Sequence, residues 1–150
     1  MSNPLALRVT ESIKTAMRAH DSTRLSTLRL LQAAIKQKTI DQRTEPDEAA
    51  IISIIEKQAK QRRESMAAFE AAGRSETAAQ EKAELDILLE FLPQAASPEE
   101  ITAAIDAAIA QAQGLQGGAA MGKIMGALKG TLSGRADMAA VSAQVKARLA

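Results

Sequence analysis

Cysteine, tryptophan and tyrosine are absent from this sequence of 150 residues, and its aromatic side chains are limited to Phe69 and Phe91. Without cysteine the chain can form neither disulfides nor thiolate metal sites, and it has no thiol nucleophile. The single histidine, His20, has no second histidine or cysteine with which to bind zinc. The sequence also lacks a P-loop and a dinucleotide-binding glycine motif. We therefore expect no metal and no cofactor.

Long hydrophobic runs are missing as well. No apolar segment approaches the roughly 20 residues that a membrane-spanning helix requires. The N-terminus has no apolar segment typical of a signal peptide. Together with the absence of cysteine, which suits a reducing compartment, these features favour a cytoplasmic protein that does not associate with a membrane.

The hydrophobic residues that are present make up 46% of the chain and are mainly alanine, leucine, isoleucine and methionine. They recur at spacings of three and four, as in Ile101, Ile105 and Ile109, and no segment alternates in the manner of a strand. We predict an all-α protein in two parts. An N-terminal helical hairpin or bundle spans residues 1–93, and a C-terminal three-helix domain spans residues 97–150.

Capping residues and prolines predict where the helices begin. Thr44 is predicted to cap a long third helix, with Pro46 in its first turn. Ser75 is predicted to cap the fourth helix, and Ser97 to cap the fifth in the capping box "SPEE". The sixth helix is predicted to run from residue 119 to residue 128, and the segment "KGTLSGR" after it to form a loop.

Positive and negative charges are unevenly distributed, although the net charge is only +1. The stretch from Arg8 to Arg43 contains eight basic residues and three acidic ones. The stretch from Glu76 to Asp106 contains one lysine and eight carboxylates. From Met121 to the end the chain is basic again. This asymmetry is compatible with a polyanionic partner, and the alternative is a basic face that is simply solvated. Because aromatic residues that could stack on bases are scarce, such a partner would be recognised by its backbone rather than its bases.

Glycine recurs at every fourth position of the segment "MGKIMGALKGTLSGRAD", which begins at Met121. A glycine in a helix interior costs about 1 kcal/mol relative to alanine, so a close contact should offset this cost. One interpretation is that Gly122 and Gly126 allow a neighbouring helix to approach closely, while Gly130 and Gly134 form a turn.

A second interpretation, compatible with the first, concerns the positive charges between these glycines. Lys123, Lys129 and Arg135 flank a turn that precedes a helix N-terminus, and Asp137 is predicted to cap that helix. Free backbone N–H groups and positive charge at a helix N-terminus favour phosphate binding. The segment therefore predicts a corner that contacts phosphates.

The segment "MGKIMGALKGTLSGRADMAAVSAQVKARL" resembles the C-terminal three-helix domain of the GatB/YqeY family. "DSTRLSTLRLLQAAIK", "KQRRESMAAFEAAGR" and "AELDILLEFLPQ" are similar to the N-terminal half of the free-standing YqeY proteins. The resemblance covers essentially the whole chain. In the B subunit of the tRNA-dependent amidotransferase, a larger family member, the equivalent domain forms a tail that engages tRNA. That enzyme converts misacylated Glu-tRNA(Gln) or Asp-tRNA(Asn) to the amide form with glutamine as nitrogen donor.

The resemblance places family motifs on numbered positions of this chain. Gly122 and Met125 match a "G-x-x-M" helix. The matches to a "G-K/R-A-N/D" corner are Gly134, Arg135, Ala136 and Asp137. The chain departs from the family pattern in "GGAAMG", which has no serine or aspartate cap before the sixth helix. It also lacks the kinase-like and cradle portions of the amidotransferase subunit and any residues for ATP, magnesium or glutamine chemistry.

The resemblance implies a tRNA-binding or amidotransferase-associated accessory protein, related to carbon–nitrogen ligases but without an active site of its own. Its phosphate contacts are predicted to come from Lys123, Lys129, Arg135 and Lys146. The alternative is a helical adaptor whose partner is a protein, either an amidotransferase subunit or another protein. A self-sufficient amidotransferase is the hypothesis with the least support.

Overall fold

The computed structural model describes residues 3–150, and these residues form seven α-helices and no strand. The predicted all-α class is therefore confirmed. The helices are α1 (Pro4–Arg18), α2 (Ser22–Gln42), α3 (Glu48–Ala71), α4 (Ser75–Leu89), α5 (Pro98–Gln111), α6 (Gly117–Leu132) and α7 (Met138–Leu149). The chain divides into two compact units, an N-terminal unit that ends at Leu92 and a C-terminal unit over Pro93–Ala150.

The N-terminal unit contains α1–α4 around one hydrophobic core. Every helix contributes residues spaced three or four apart, so that one side of each helix is buried. The buried core residues are Leu5, Val9, Ile13, Leu28, Leu31, Ile51, Ile52, Ile55, Leu88 and Phe91. Burial of these side chains is the main source of helix stability here, because short isolated helices are marginal in water.

The beginning of α3 differs from the prediction. Asp47 rather than Thr44 is the N-cap, and its Oδ1 accepts a hydrogen bond from the N–H of Ala50 at 2.8 Å. Pro46 is buried and precedes the helix instead of lying in its first turn. The carbonyl of Pro46 accepts a hydrogen bond from Nδ2 of Asn3 at 3.0 Å. The contact to Asn3, distant in sequence, fixes this loop and leaves Asp47 as the cap.

The predicted cap of α4 is also wrong. Ser75 is the first helical residue, and Arg74 occupies the N-cap position without a side-chain cap bond. Gly73 has a φ of +73°, and the N–H of Arg74 donates to the carbonyl of Phe69 at 2.8 Å. This left-handed turn ends α3, and α4 begins two residues after Gly73. Arg74 is therefore the only residue left to occupy the N-cap position.

The C-terminal unit contains α5–α7 around a second core. Its buried residues are Ile105, Ala108, Ala112, Ala120, Ile124, Leu128, Leu132, Val141 and Val145. The predicted Ser97 cap is confirmed, since its Oγ accepts a hydrogen bond from the N–H of Glu100 at 3.1 Å. Ser97 and Pro98 thus begin α5 as predicted, but the capping box is only half formed, because the carboxylate of Glu100 pairs with Arg135 and not with the N–H of Ser97.

Helix α6 is longer than predicted and includes Gly130, which does not lie in a turn. Ala120, Ile124, Leu128 and Leu132 are buried at every fourth position, and their burial extends the helix past the glycine. The turn comes later, at Gly134, whose φ is +77°. A positive φ is easy for glycine and strained for other residues, which explains glycine at this position.

Candidate nucleic-acid interface

The glycines of α6 lie on its exposed side, opposite the core. Gly118, Gly122, Gly126 and Gly130 each precede a buried core residue by two positions, which corresponds to a rotation of about 200° around the helix. A Cβ atom built on any of these four glycines would meet no atom within 4 Å apart from the neighbouring residues and backbone of α6 itself. We call this exposed surface of α6 the glycine face.

The prediction that Gly122 and Gly126 accommodate a neighbouring helix is therefore wrong. The physical reason lies in a second repeat of period four, formed by the larger residues from Ala120 to Leu132. This repeat buries more apolar surface and thereby determines which side of α6 packs on the core. Nothing within the described part of the C-terminal unit offsets the helix-propensity cost of the glycines.

Two lysines lie on either side of the glycine face. Lys123 precedes Gly126 by three residues and Lys129 follows it by three, so the two side chains are placed about 60° to the left and right of Gly126. Both lysines are exposed, and neither side chain makes a hydrogen bond or ion pair within the described chain. The glycine face is therefore a strip of backbone without side chains, and an unpaired positive charge lies on each side of it.

Lys146 is not part of this strip. It lies on α7 and lines a shallow groove of about 410 Å³ beside the first turn of α6, together with Leu115, Gly117 and Leu149. Gly117 and Lys129 are separated by twelve residues of helix, or about 18 Å along its axis. The structure thus separates Lys146 from Lys129, although the sequence prediction grouped them.

The first turn of α6 has no side-chain cap, as the absence of serine or aspartate in "GGAAMG" predicts. Gln116 is the N-cap residue, and its side chain makes no capping bond. The free N–H groups at this end give the helix a partial positive charge. Lys146 adds a full positive charge beside them.

We define the corner as residues 133–136, between α6 and α7. The side chain of Arg135, in this corner, makes its hydrogen bonds to other residues of the C-terminal unit. Its Nε donates to the carbonyl of Gln94 at 2.9 Å, and its Nη2 lies 2.5 Å from a carboxylate oxygen of Glu100. Its own carbonyl accepts a hydrogen bond from the N–H of Ala96 at 2.7 Å. Arg135 therefore attaches the segment before α5 to the corner.

The remaining motif residues support the corner and the adjoining helices. Asp137 is the N-cap of α7 and accepts a hydrogen bond from the N–H of Ala139 at 3.0 Å. Met125 and Ala136 are partly buried and pack against the C-terminal core. Of the motif positions, Gly122 and Gly126 belong to the glycine face, and the others serve local structure.

Three of the eight carboxylates between Glu76 and Asp106 pair with arginines inside the N-terminal unit. Arg24 pairs with Glu90 at 2.6 Å. Arg62 pairs with Glu81 at 3.1 Å and with Glu84 at 2.7 Å. The sequence therefore overstates the negative charge left for a partner, whereas most basic residues between Arg8 and Arg43 have no ion pair within the described chain.

Among residues 3–150, no group of three or more histidine, cysteine, aspartate or glutamate side chains is arranged to hold a metal ion. None of the helices described combines the length and apolar character needed to cross a membrane. His20 is exposed at the end of α1, where its φ of +54° forms part of a turn.

Comparison with known proteins identifies the family. The family model described as Yqey-like protein matches residues 6–149. The protein named altered inheritance of mitochondria protein 41, mitochondrial, from Eremothecium gossypii, is 38% identical over 100 residues, or 65% of this chain and 55% of the relative. The chain thus spans little more than half the length of this relative. The match over nearly the whole chain shows that the protein belongs to the YqeY-like family.

Proposed function

We propose that the protein is an RNA-binding accessory factor, with tRNA as its ligand, and that the glycine face of α6 contacts the RNA backbone. The observation that carries this proposal is the placement of Lys123 and Lys129 on either side of Gly126, on a surface with no side chain above it. Each lysine is free to contact a phosphate, because no carboxylate in the described chain occupies it.

The absence of Cβ atoms on the glycine face also supports the proposal. Glycine permits the closest approach between a helix backbone and a ligand. The four glycines cost the isolated unit helix stability without any internal packing that offsets it. A sugar–phosphate backbone lying along Gly122 and Gly126 would use this space, with the two lysines about 9 Å apart along the axis reaching separate phosphates.

The class of RNA follows from what the C-terminal unit lacks. It contains no aromatic residue, so it has no platform on which unpaired bases can stack. Contacts limited to phosphates and sugars select shape, which favours a folded RNA over a single strand. The resemblance to the tRNA-engaging tail of the amidotransferase B subunit supports tRNA in particular. It also supports association with such an enzyme, which would supply the catalysis.

Arg135 is not one of the phosphate contacts that we propose. Its Nε and Nη2 already donate to groups of the same unit. Lys146 can provide a separate contact beside the uncapped start of α6.

A binding titration at several salt concentrations tests the proposal. The probes are a folded tRNA transcript and an unstructured RNA of the same length. The double variant Lys123→Gln/Lys129→Gln should bind the tRNA more weakly, and its plot of log K against log salt should be flatter by about two units. Lys57→Gln/Lys60→Gln is the matched control, because these exposed lysines lie on α3 of the other unit.

Two results would contradict the proposal. In one, the α6 double variant and the α3 control lose affinity equally, which would indicate nonspecific attraction to the whole chain. In the other, wild-type protein binds the unstructured RNA as tightly as the tRNA.

A further inference from the structure

We infer that the second half of α2 is a docking surface for an acidic amphipathic helix of a partner protein. Helix α2 has 21 residues, yet its three buried residues, Thr27, Leu28 and Leu31, all lie in the first half. None of residues 32–42 is buried. Over these three turns Ile35 packs only partly against the core, and the side of the helix opposite Ile35 is therefore a surface available for packing. This inference concerns the N-terminal unit and goes beyond the proposed RNA contacts.

Large apolar side chains are exposed along this helix. Leu30 is 55% exposed and Ile40 is 68% exposed, the highest value among the large hydrophobic residues described. Ala33 lies between them on the same side, at spacings of three and seven residues. Single exposed leucines are ordinary, but an apolar row on one helix face is typical of a surface that packs against another helix.

Unpaired cations border this apolar row. Arg29 and Lys36 are seven residues apart and share one edge of the exposed face. Neither makes an ion pair within the described chain, whereas Arg24 in the first turn of the same helix is paired with Glu90. The only carboxylate between Arg29 and Arg43 is Asp41, which accepts a hydrogen bond from Gln37 at 2.8 Å. A complementary partner should therefore carry acidic residues beside apolar ones.

Helix α4 shows what kind of element suits α2. Leu88 of α4 shares the core with Leu28 and Leu31, while Glu90, just beyond the end of α4, pairs with Arg24. Helix α4 carries four acidic residues and one lysine. An acidic amphipathic helix thus already packs on α2 within the unit. A partner helix of the same character would bury Leu30 and Ile40 and neutralise Arg29 and Lys36, whereas RNA would leave both apolar side chains without a contact.

Site-specific photocrosslinking in intact cells tests the inference on the full chain. A photoreactive amino acid replaces Ile40, and a control chain carries it at Ala79, an exposed position of α4. We expect a protein adduct specific to position 40 that persists after ribonuclease treatment. Mass spectrometry should place the crosslink in a peptide with net negative charge and apolar residues spaced three or four apart.

Charge reversal then tests the complementarity. Arg29→Glu/Lys36→Glu should reduce the yield of the position 40 adduct at least fivefold, and exchanging the partner's acidic residues for lysine should restore it. Lys57→Glu/Lys60→Glu should have no effect. Because all of these positions are exposed, circular dichroism should show a folded chain in each case.

Several outcomes would overturn the inference. They are an adduct with RNA or lipid alone, a crosslinked peptide without acidic character, an adduct of equal yield at position 79, no adduct at position 40, and an adduct unaffected by charge reversal. None of these bears on Lys123 and Lys129, so the RNA proposal stands or falls by its own titration.

Discussion

Arg135 and Glu100 form an ion pair across 35 positions of sequence, with Nη2 of the arginine 2.5 Å from Oε2 of the glutamate. The pair joins the corner between α6 and α7 to the first turn of α5. The side chains are 31% and 52% exposed, so the electrostatic contribution is screened by solvent. The main effect of Arg135 is geometric, because the same side chain also donates to the carbonyl of Gln94.

The first prediction is that Arg135→Gln releases the segment before α5. The hydrogen bond from the N–H of Ala96 to the carbonyl of residue 135 should then open more often, and the Ala96 amide should exchange faster with solvent deuterium. The free energy of unfolding should fall by about 0.5–1.5 kcal/mol. Arg135→Lys should not restore protection, because lysine cannot make both side-chain contacts at once.

The salt dependence of tRNA binding distinguishes a positioning role of Arg135 from a direct contact with phosphate. If Arg135 positions the corner without contacting phosphate, Arg135→Gln should leave the salt slope near the wild-type value. A slope flatter by about one unit, with unchanged exchange at Ala96, would instead make Arg135 a direct phosphate contact.

The second prediction concerns the half-buried cluster of Arg62 with Glu81 and Glu84. The three side chains are 23%, 16% and 15% exposed, so the carboxylates depend on the arginine for compensation. Arg62→Met should lower the free energy of unfolding by about 1–3 kcal/mol, less than the cost of breaking a fully buried pair. Urea denaturation of the full chain measures this loss.

Arg63→Met is the matched control for the Arg62 cluster, since Arg63 is exposed and makes no ion pair within the described chain. Its effect should be below about 0.5 kcal/mol. Adding Glu81→Gln and Glu84→Gln to Arg62→Met should recover part of the stability, because the unpaired charges are then removed. Equal effects of the two arginine variants would mean that the cluster contributes nothing beyond a surface pair.

The third prediction follows from the open space above the glycine face. Gly126→Ala should raise the free energy of unfolding by about 0.5–1 kcal/mol, because alanine favours the helix and its Cβ meets no neighbour. Gly134→Ala should have the opposite sign and cost about 1–2 kcal/mol, because the φ of +77° strains any residue with a Cβ. Thermal denaturation distinguishes the two. A destabilised Gly126→Ala variant would show that another surface packs against this face.

The helices and the core could be predicted from local patterns in the sequence. Contacts between residues that are far apart in the sequence could not be predicted in this way. The apolar spacing of Ile101, Ile105 and Ile109 and the cap at Ser97 depend only on neighbours in the sequence, and both were predicted. The start of α3 depends on Asn3 contacting Pro46, and the role of Arg135 depends on Glu100. Neither contact leaves a signal in spacing, so the cap of α3 was misplaced and the partner of Arg135 was missed.

The candidate site shows the same limit. Glycines and large apolar residues both recur with period four in α6, and two repeats of equal period cannot by themselves reveal which one faces the core. The two-position offset between Gly122 and Ile124 places them on opposite sides of the helix. Comparing the sizes of the two sets could have indicated this, because the larger apolar residues gain more from burial.

The last prediction joins stability to RNA binding at one position. Gly126→Leu places a large side chain in open space between Lys123 and Lys129 without touching the core. The full chain should keep its folding stability or gain slightly, since leucine is a far better helix former than glycine. Affinity for folded tRNA should nevertheless fall about tenfold or more, because the side chain holds the RNA backbone away from both lysines. Ala139→Leu, an exposed substitution on α7, is the size control and should bind tRNA like wild type. Unchanged tRNA affinity in Gly126→Leu would show that the RNA backbone does not lie along the glycine face.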